Sequence, residues 1–242
     1  PQTYVMDWTA LQLRADDIVM PVHLFGFPSI PPWKVAHLTV IEDACEALGA
    51  PGIGYGDAMA LSFYVAHTIT TGVGGMALTR HAWLDDAIKR LCNHGRARAQ
   101  DLYAGLRVDH VDADVRFRFT EVGFSYKLGD VNAALGLGQI QRLPKILEAR
   151  RRVAGWLTER LQGLPLQLPQ DHPSHTYMMY PLVCREDGIR DPLMTHLAHA
   201  GIETRHMMPV TNQPVVQRTI GDVEDRYPHA ATINRRGFYL GC

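Results

Sequence analysis

The sequence predicts an α/β fold: a large three-layer domain over residues 1–150, then a small α+β domain over 151–242. Three observations carry this. Short apolar runs ending in Gly, Asp or Pro recur through the first third without polar alternation, the pattern of strands covered on both faces. Segments of helical period follow them. After Leu161 the chain passes through a Pro-rich stretch, and shorter strand and helix patterns then resume.

Taken in order, Asp17–Gly26 (Asp-Ile-Val-Met-Pro-Val-His-Leu-Phe-Gly) reads as a strand leading into a loop. Leu38–Ile41, closed by Glu42 and Asp43, is a second strand, Ala58–Tyr64 a third and Met76–Thr79 a short fourth. Trp83–Gly95 reads as a helix, because Leu84, Ala87, Ile88 and Leu91 form one stripe and Gly95 can close it. Ala97–Thr120 is polar and weakly patterned, a long excursion over the surface. Asp130 is placed to cap the next helix, whose Val131, Ala134, Leu135 and Gly138 share one face. Pro144 is expected to interrupt that helix and to start or kink a second one through Ile146, Val153, Leu157 and Leu161. Pro165–Pro173 reads as a linker or edge, Tyr177–Val183 as a strand, Asp191–Ala200 as a helix, and Gly201–Arg205 as a turn into a strand.

Composition narrows the function. With 46% hydrophobic and 20% charged residues in 242, the chain is ordinary for a globular protein. The formal net charge is −1, and no Lys/Arg run tracks a phosphate backbone, which argues against nucleic acid as a partner. Arg150-Arg151-Arg152 follows a helical apolar pattern and reads as cover for a solvated face. No apolar run approaches the ~20 residues that cross a bilayer, which argues against a membrane partner. Cys45, Cys92, Cys184 and Cys242 form no CxxC pair and have no metal-ligand spacing; no metal is expected, and reduced thiols fit a cytoplasmic setting. The chain opens at Pro1 and stops at Cys242, and reads as an internal fragment of a longer protein.

Three segments carry the chemistry. One is Val40-Ile41-Glu42-Asp43-Ala44-Cys45-Glu46-Ala47-Leu48-Gly49-Ala50. Another is Gly56-Asp57 followed by Ser62-Phe63-Tyr64-Val65-Ala66-His67-Thr68-Ile69-Thr70-Thr71-Gly72-Val73-Gly74-Gly75. The third is Val122-Gly123-Phe124-Ser125-Tyr126-Lys127-Leu128-Gly129-Asp130-Val131-Asn132. With Pro21–Gly26 upstream and Gly201–Arg205 downstream, their order and spacing resemble the DegT/StrS sugar aminotransferase family along nearly the whole chain. The resemblance implies the aspartate-aminotransferase fold (fold type I), a pyridoxal or pyridoxamine phosphate cofactor, a nucleotide-sugar substrate and a homodimer with shared sites.

Each residue has a plainer reading beside the one the resemblance implies. Asp43, at the end of a strand, is either an acceptor for the turn that follows or the partner of the cofactor's ring nitrogen. Glu46 is either a solvated helix residue or the neighbour of the cofactor's ring hydroxyl, where the family carries Gln or His. An ionised carboxylate accepts there and cannot donate. Ser62 resembles the family's phosphate-binding serine, helped by the Gly72–Gly75 loop. Ser125 stands where the family has an asparagine that reaches a neighbouring subunit's cofactor phosphate. Lys127 and Arg205 match charged family positions and read equally as surface charges.

His67 is the main departure. The family's cofactor lysine, which forms a Schiff base, belongs at this position, and an imidazole cannot form that bond. It is either an incidental histidine or a proton-transfer base with an ordinary pKa of ~6.5. The family subgroup with histidine here resembles nucleotide-sugar 3-dehydratases, in which the C3 hydroxyl is lost. One branch of that subgroup holds an iron–sulfur cluster, which needs several thiolates; Cys92 stands alone in the matching region. The expected function is dehydration of a nucleotide-linked 4-keto sugar, with a sugar aminotransferase or a silent binding relative as alternatives. The resemblance places the phosphate-cradling turn and the ring-stacking aromatic of the family before this segment, so weak cofactor binding or none is expected of the 242 residues alone.

Overall fold

The computed structural model describes residues 3–35, 37–97, 117–207 and 209–242. Two four-stranded sheets organise them. The first has the order β1 (Ile18–Val19), β2 (Thr39–Asp43), β3 (Ala58–Ser62), β4 (Gly75–Thr79). β1, β2 and β3 run parallel and β4 is antiparallel to β3. The C-terminal ends of the three parallel strands therefore share one edge, and β4 begins at that same edge. Ligands of open parallel sheets bind outside this edge.

Apolar side chains cover one face of this sheet, the side of Val19, Val40 and Leu61, whereas Ile18, Thr39 and Ala60 on the other face are exposed, so the expected cover on both faces is not realised among the described residues. Trp8, Val19, Leu38 and Val40 form one cluster, and Ala44, Leu61, Phe63 and Ile69 form another that packs on Leu143 and Ile146. The expected cover does not extend to β4. Met76 and Leu78 are half exposed, since β4 is the last strand of the described sheet and only α1 (Ala82–Leu91) lies along it.

The second sheet is wholly antiparallel, in the order β5 (Leu166–Gln167), β6 (Met179–Cys184), β8 (Gly237–Gly241), β7 (Thr204–His206). Period-2 alternation puts Tyr180, Leu182 and Cys184 on one face with Phe238, against Ala154, Leu157 and Leu161. Val183 faces the other way, into a cluster with Phe25 and Met207. Each fully buried large side chain of this kind contributes about 1.5–3 kcal/mol. Helices α3 (Arg190–His199), α4 (Pro214–Ile220) and α5 (Pro228–Arg236) complete this half.

Helix α2 (Asp130–Leu161) joins the halves, and it departs from expectation in three ways. It runs unbroken through Pro144, so no second helix starts there. A helix of this length spans roughly 48 Å, and its packing on both sheets outweighs the one backbone bond that proline removes. Asp130 does not cap it; Gly129 is the N-cap, and Asn132 Nδ2 instead donates to Thr71 O at 2.6 Å. The arginine run is solvated cover only in part: Arg151, which donates to the carbonyls of His175 and Pro173, and Arg152 are exposed, but Arg150 is half-buried and its Nη1 donates to the carbonyls of Tyr177, Met178 and Cys242. Most of the Ala97–Thr120 excursion, residues 98–116, lies outside the described residues.

The remaining junction is the 3-10 turn Leu24–Gly26 between β1 and β2. Phe25 O accepts from both Met178 N and His175 Nε2, and Gly26 O accepts from Thr176 N. Gly26 has φ +87°, and a Cβ there would lie 2.3 Å from Thr176 Oγ1, so only glycine permits the approach. His175 is buried with its Nδ1 unpartnered, and burial pushes its pKa down to about 4, which keeps the imidazole neutral.

Candidate active site

Asp43 closes β2 and Ser62 closes β3, and the pairing of Asp43 with Ala60 brings both to the shared edge. The segment between β3 and β4 loops over this edge. Phe63 pins it twice, donating to Gly74 O and accepting from Thr71 N, both at 2.9 Å. Gly74 has φ +134°, and a Cβ on it would lie 2.5 Å from Leu128 Cδ1. Within the loop His67 N donates to Tyr64 O, and the Tyr64 ring stands edge-on to the imidazole at 6.2 Å.

The structure brings Asp43, Glu46 and His67 into one electrostatic neighbourhood. Burial lowers the pKa of His67, and the charge of Asp43 partly offsets this. Its Nδ1 is buried without a hydrogen-bond partner. An imidazole held neutral with an open ring nitrogen is a proton acceptor in waiting. Burial raises the pKa of Glu46; the Phe25 N–H, donating to Oε2 at 2.6 Å, opposes this, and Asp43 adds to it.

Asp43 Oδ1 accepts from Cys45 N at 3.1 Å, so the turn-capping reading is realised. A carboxylate has acceptor capacity beyond that one bond. Ser62 Oγ accepts from Tyr64 N at 3.2 Å and keeps its hydrogen for donation. Cys45 is no nucleophile here: burial and then Asp43 push its thiol up to about 12.

Ser125 lies apart from this group. It is exposed, bridges to Asn93 beyond α1, and no hydrogen bond among the described residues joins its side chain to the other four. Arg205 is exposed and pairs with Glu203 at 2.7 Å, and Lys127 is exposed as well. Two cavities flank the edge. One of ≈ 690 Å³ is lined by Glu46 and mainly apolar residues including Phe25 and Met207; one of ≈ 430 Å³ is lined by Ala66, Arg150 and Arg205; Met179 and Tyr239 line both.

Sequence reasoning missed the pair beneath the site. His23 and Glu42 are fully buried and joined at 2.9 Å, with Ser29 N donating to His23 Nδ1. That bond leaves Nε2 as the ring's donor, so Glu42 is the acceptor. Gly54 N and Gly56 N complete its shell at 2.8 and 2.6 Å. A signal existed: consecutive acids at a strand end point to opposite faces, so Glu42 and Asp43 cannot both face the same environment.

Residues 9–242 match the DegT/DnrJ/EryC1/StrS aminotransferase family. The chain belongs to this family. It is similar to the GDP-perosamine synthase of Caulobacter vibrioides, with 32% identity over 234 residues, 86% of this chain and 59% of that protein. It is also similar to the dTDP-4-dehydro-2,6-dideoxy-D-glucose 3-dehydratase of Saccharopolyspora spinosa, at 28% identity over 86% of this chain and 50% of that protein. The chain thus spans between half and three fifths of these relatives. The Escherichia coli GDP-4-keto-6-deoxy-D-mannose-3-dehydratase, solved with bound hydrated PLP, superposes with a TM-score of 0.80 over 99% of this chain and 67% of its own, at 19% identity. The fold is therefore that of the fold type I, pyridoxal-phosphate class of sugar aminotransferases, as the sequence predicted.

Proposed function

We propose that this chain forms the catalytic part of a pyridoxamine- or pyridoxal-phosphate-dependent enzyme that removes the C3 oxygen of a nucleotide-linked 4-keto sugar. The observation that carries it is the His67 imidazole, whose buried Nδ1 has no partner among the described residues and which feels the charge of Asp43; we read it as standing in place of the family's lysine. An orphaned polar atom at a ligand-binding sheet edge calls for a ligand, so the residues fit the cofactor. Bound there, the cofactor supplies an amine for a sugar carbonyl and a ring that draws off electrons.

The chain's residues do the rest. Asp43 holds the ring nitrogen with its second oxygen. Ser62 donates to the phosphate, Glu46 meets the ring oxygen, and Ser125 serves the cofactor phosphate of a second copy in a homodimer. His67 accepts a proton and returns it, without covalent attachment. Residues 1–150 act as the cofactor-binding domain and residues 151–242 as the small domain, in a cytoplasmic enzyme. The 32% identity to a GDP-perosamine synthase favours a second reading, amine transfer to the same class of sugar. Product analysis with the full-length protein decides between them. Loss of the C3 oxygen supports dehydration, gain of an amine supports transfer, and no cofactor uptake by absorbance overturns both.

A further inference from the structure

The first sheet has a second edge, opposite the one that carries Asp43 and Ser62. Asp57 stands there just before β3, and Arg80 and His81 just after β4. The two edges are roughly 16 Å apart along the five-residue strand β3. A cleft of ≈ 470 Å³ opens at this far edge, within the usual size of a small-molecule site, about 300–1,000 Å³. Its origin is the connection from β1 to β2. Parallel strands are normally joined through a helix. Here the connection, residues 20–38, holds only the 3-10 turn Leu24–Gly26 among the described residues.

One wall of the cleft is apolar and aromatic. Leu38 and Val40 are buried, and the Tyr55 hydroxyl donates to Ser29 O at 2.8 Å. The Trp33 ring stays 41% exposed, although it stands edge-on to Trp8. The other wall is cationic and tied down. Arg80 Nη2 donates to Gly54 O at 2.8 Å, which leaves the other guanidinium N–H groups for a ligand. His81 Nε2 donates to Asp57 Oδ1 at 2.8 Å, and Asp57 Oδ2 accepts from Val40 N at 2.9 Å. The cleft's single carboxylate therefore has both oxygens engaged. Lys34 adds a second cation beside Trp33, and neither Lys34 nor Arg80 has an ion-pair partner among the described residues.

We propose that this cleft binds a planar heteroaromatic phosphate such as a nucleotide, its ring against Trp33 and its phosphate on Arg80 and Lys34. An indole left open beside a cavity is covered by stacking a flat ring on it. A guanidinium meets a phosphate with paired N–H groups, and an ammonium meets it as a point charge. Because Arg80, His81 and Tyr55 are already anchored, binding has fewer side chains to order. The site is separate from the edge that bears His67, and it does not depend on the function proposed above.

The test is fluorine NMR of the full-length protein labelled with fluorotryptophan, the Trp33 signal being the one lost in Trp33→Phe. Adenosine monophosphate is the probe, with adenosine and inorganic phosphate as its two halves. The Trp33 signal is expected to move and saturate with the nucleotide, at a concentration about tenfold or more below that needed with either half. Arg80→Ala is expected to weaken this binding by about 10–100-fold, and Arg80→Lys by less. Lys34→Ala, which alters an exposed side chain, gives a second reading with a loss of about two- to fivefold. Arg205→Ala, outside the cleft, is expected to leave the Trp33 titration unchanged. A Trp33 signal that does not respond, or that responds alike in wild type, Arg80→Ala and Lys34→Ala, overturns the proposal. So does a response to inorganic phosphate as strong as to the nucleotide, which would leave a charged patch with no ring site.

Discussion

Glu42 and Glu46 are separated by one short turn, and the protein treats them as opposites. Glu42 points into the interior, where His23 Nε2 and the N–H groups of Gly54 and Gly56 all donate to it. Burial alone would raise its pKa, but these donors outweigh burial and hold it below the usual carboxylate range. Glu46 receives one backbone donor, borders a cavity, and is pushed up instead. The number of donors aimed at a carboxylate, more than its depth, decides whether it is structure or is left free for chemistry.

The largest expected effect breaks the satisfied member. Glu42→Ala leaves the His23, Gly54 and Gly56 donors buried without an acceptor, and is expected to cost about 3–5 kcal/mol in denaturant unfolding. A loss below about 1 kcal/mol would mean that the network is incidental. The pH sign follows from the lowered pKa. Stability from Glu42 is complete above the ordinary carboxylate range and is lost as pH falls through the folded value. Glu46, whose pKa is raised, has the reverse slope, so Glu42→Gln and Glu46→Gln should change stability with pH in opposite directions.

The next effect tests the open side. His67→Asn is expected to lower turnover of a 4-keto nucleotide sugar by about a hundredfold or more in the full-length protein. Unchanged turnover would remove His67 from the chemistry. Since burial lowers its pKa, the neutral base persists below the ordinary histidine range, and the acid limb of the rate profile should lie there. Smaller still, Asn132→Ala removes the bond to Thr71 O that ties α2 to the His67 loop. It should cost about 1 kcal/mol in thermal unfolding. Arg205→Ala, which breaks an exposed pair with Glu203, should change stability by less than about 0.5 kcal/mol. A larger loss would show that the rim charges carry structure.

Much of the frame was legible beforehand. The strands at Thr39–Asp43, Ala58–Ser62 and Gly75–Thr79 lie where short apolar runs end in polar or glycine residues. Asp43 and Ser62 were readable as strand-end residues, and parallel pairing brings such ends together. The misread places share one cause: distant partners. Pro144 reads as a break until both sheets are seen to grip the same helix. Arg150 reads as a surface charge until the carbonyls of Tyr177, Met178 and Cys242, which flank strands of the second sheet, converge on it. Asp130 has a capping residue's chemistry, yet the bond that anchors the helix start comes from Asn132, because Thr71 lies within its reach.

By itself the sequence determined the α/β class, the order of the strands along the chain, and the presence of an imidazole at position 67, because these depend on local patterns and residue type. Tertiary structure alone decided which carboxylate is satisfied and which is left open. It also decided that the Phe25–Gly26 turn docks on Thr176–Met178, and that the His67 nitrogen is buried beside Asp43. Those outcomes depend on how many donors and how much water reach an atom, and that is set by segments far apart in the chain.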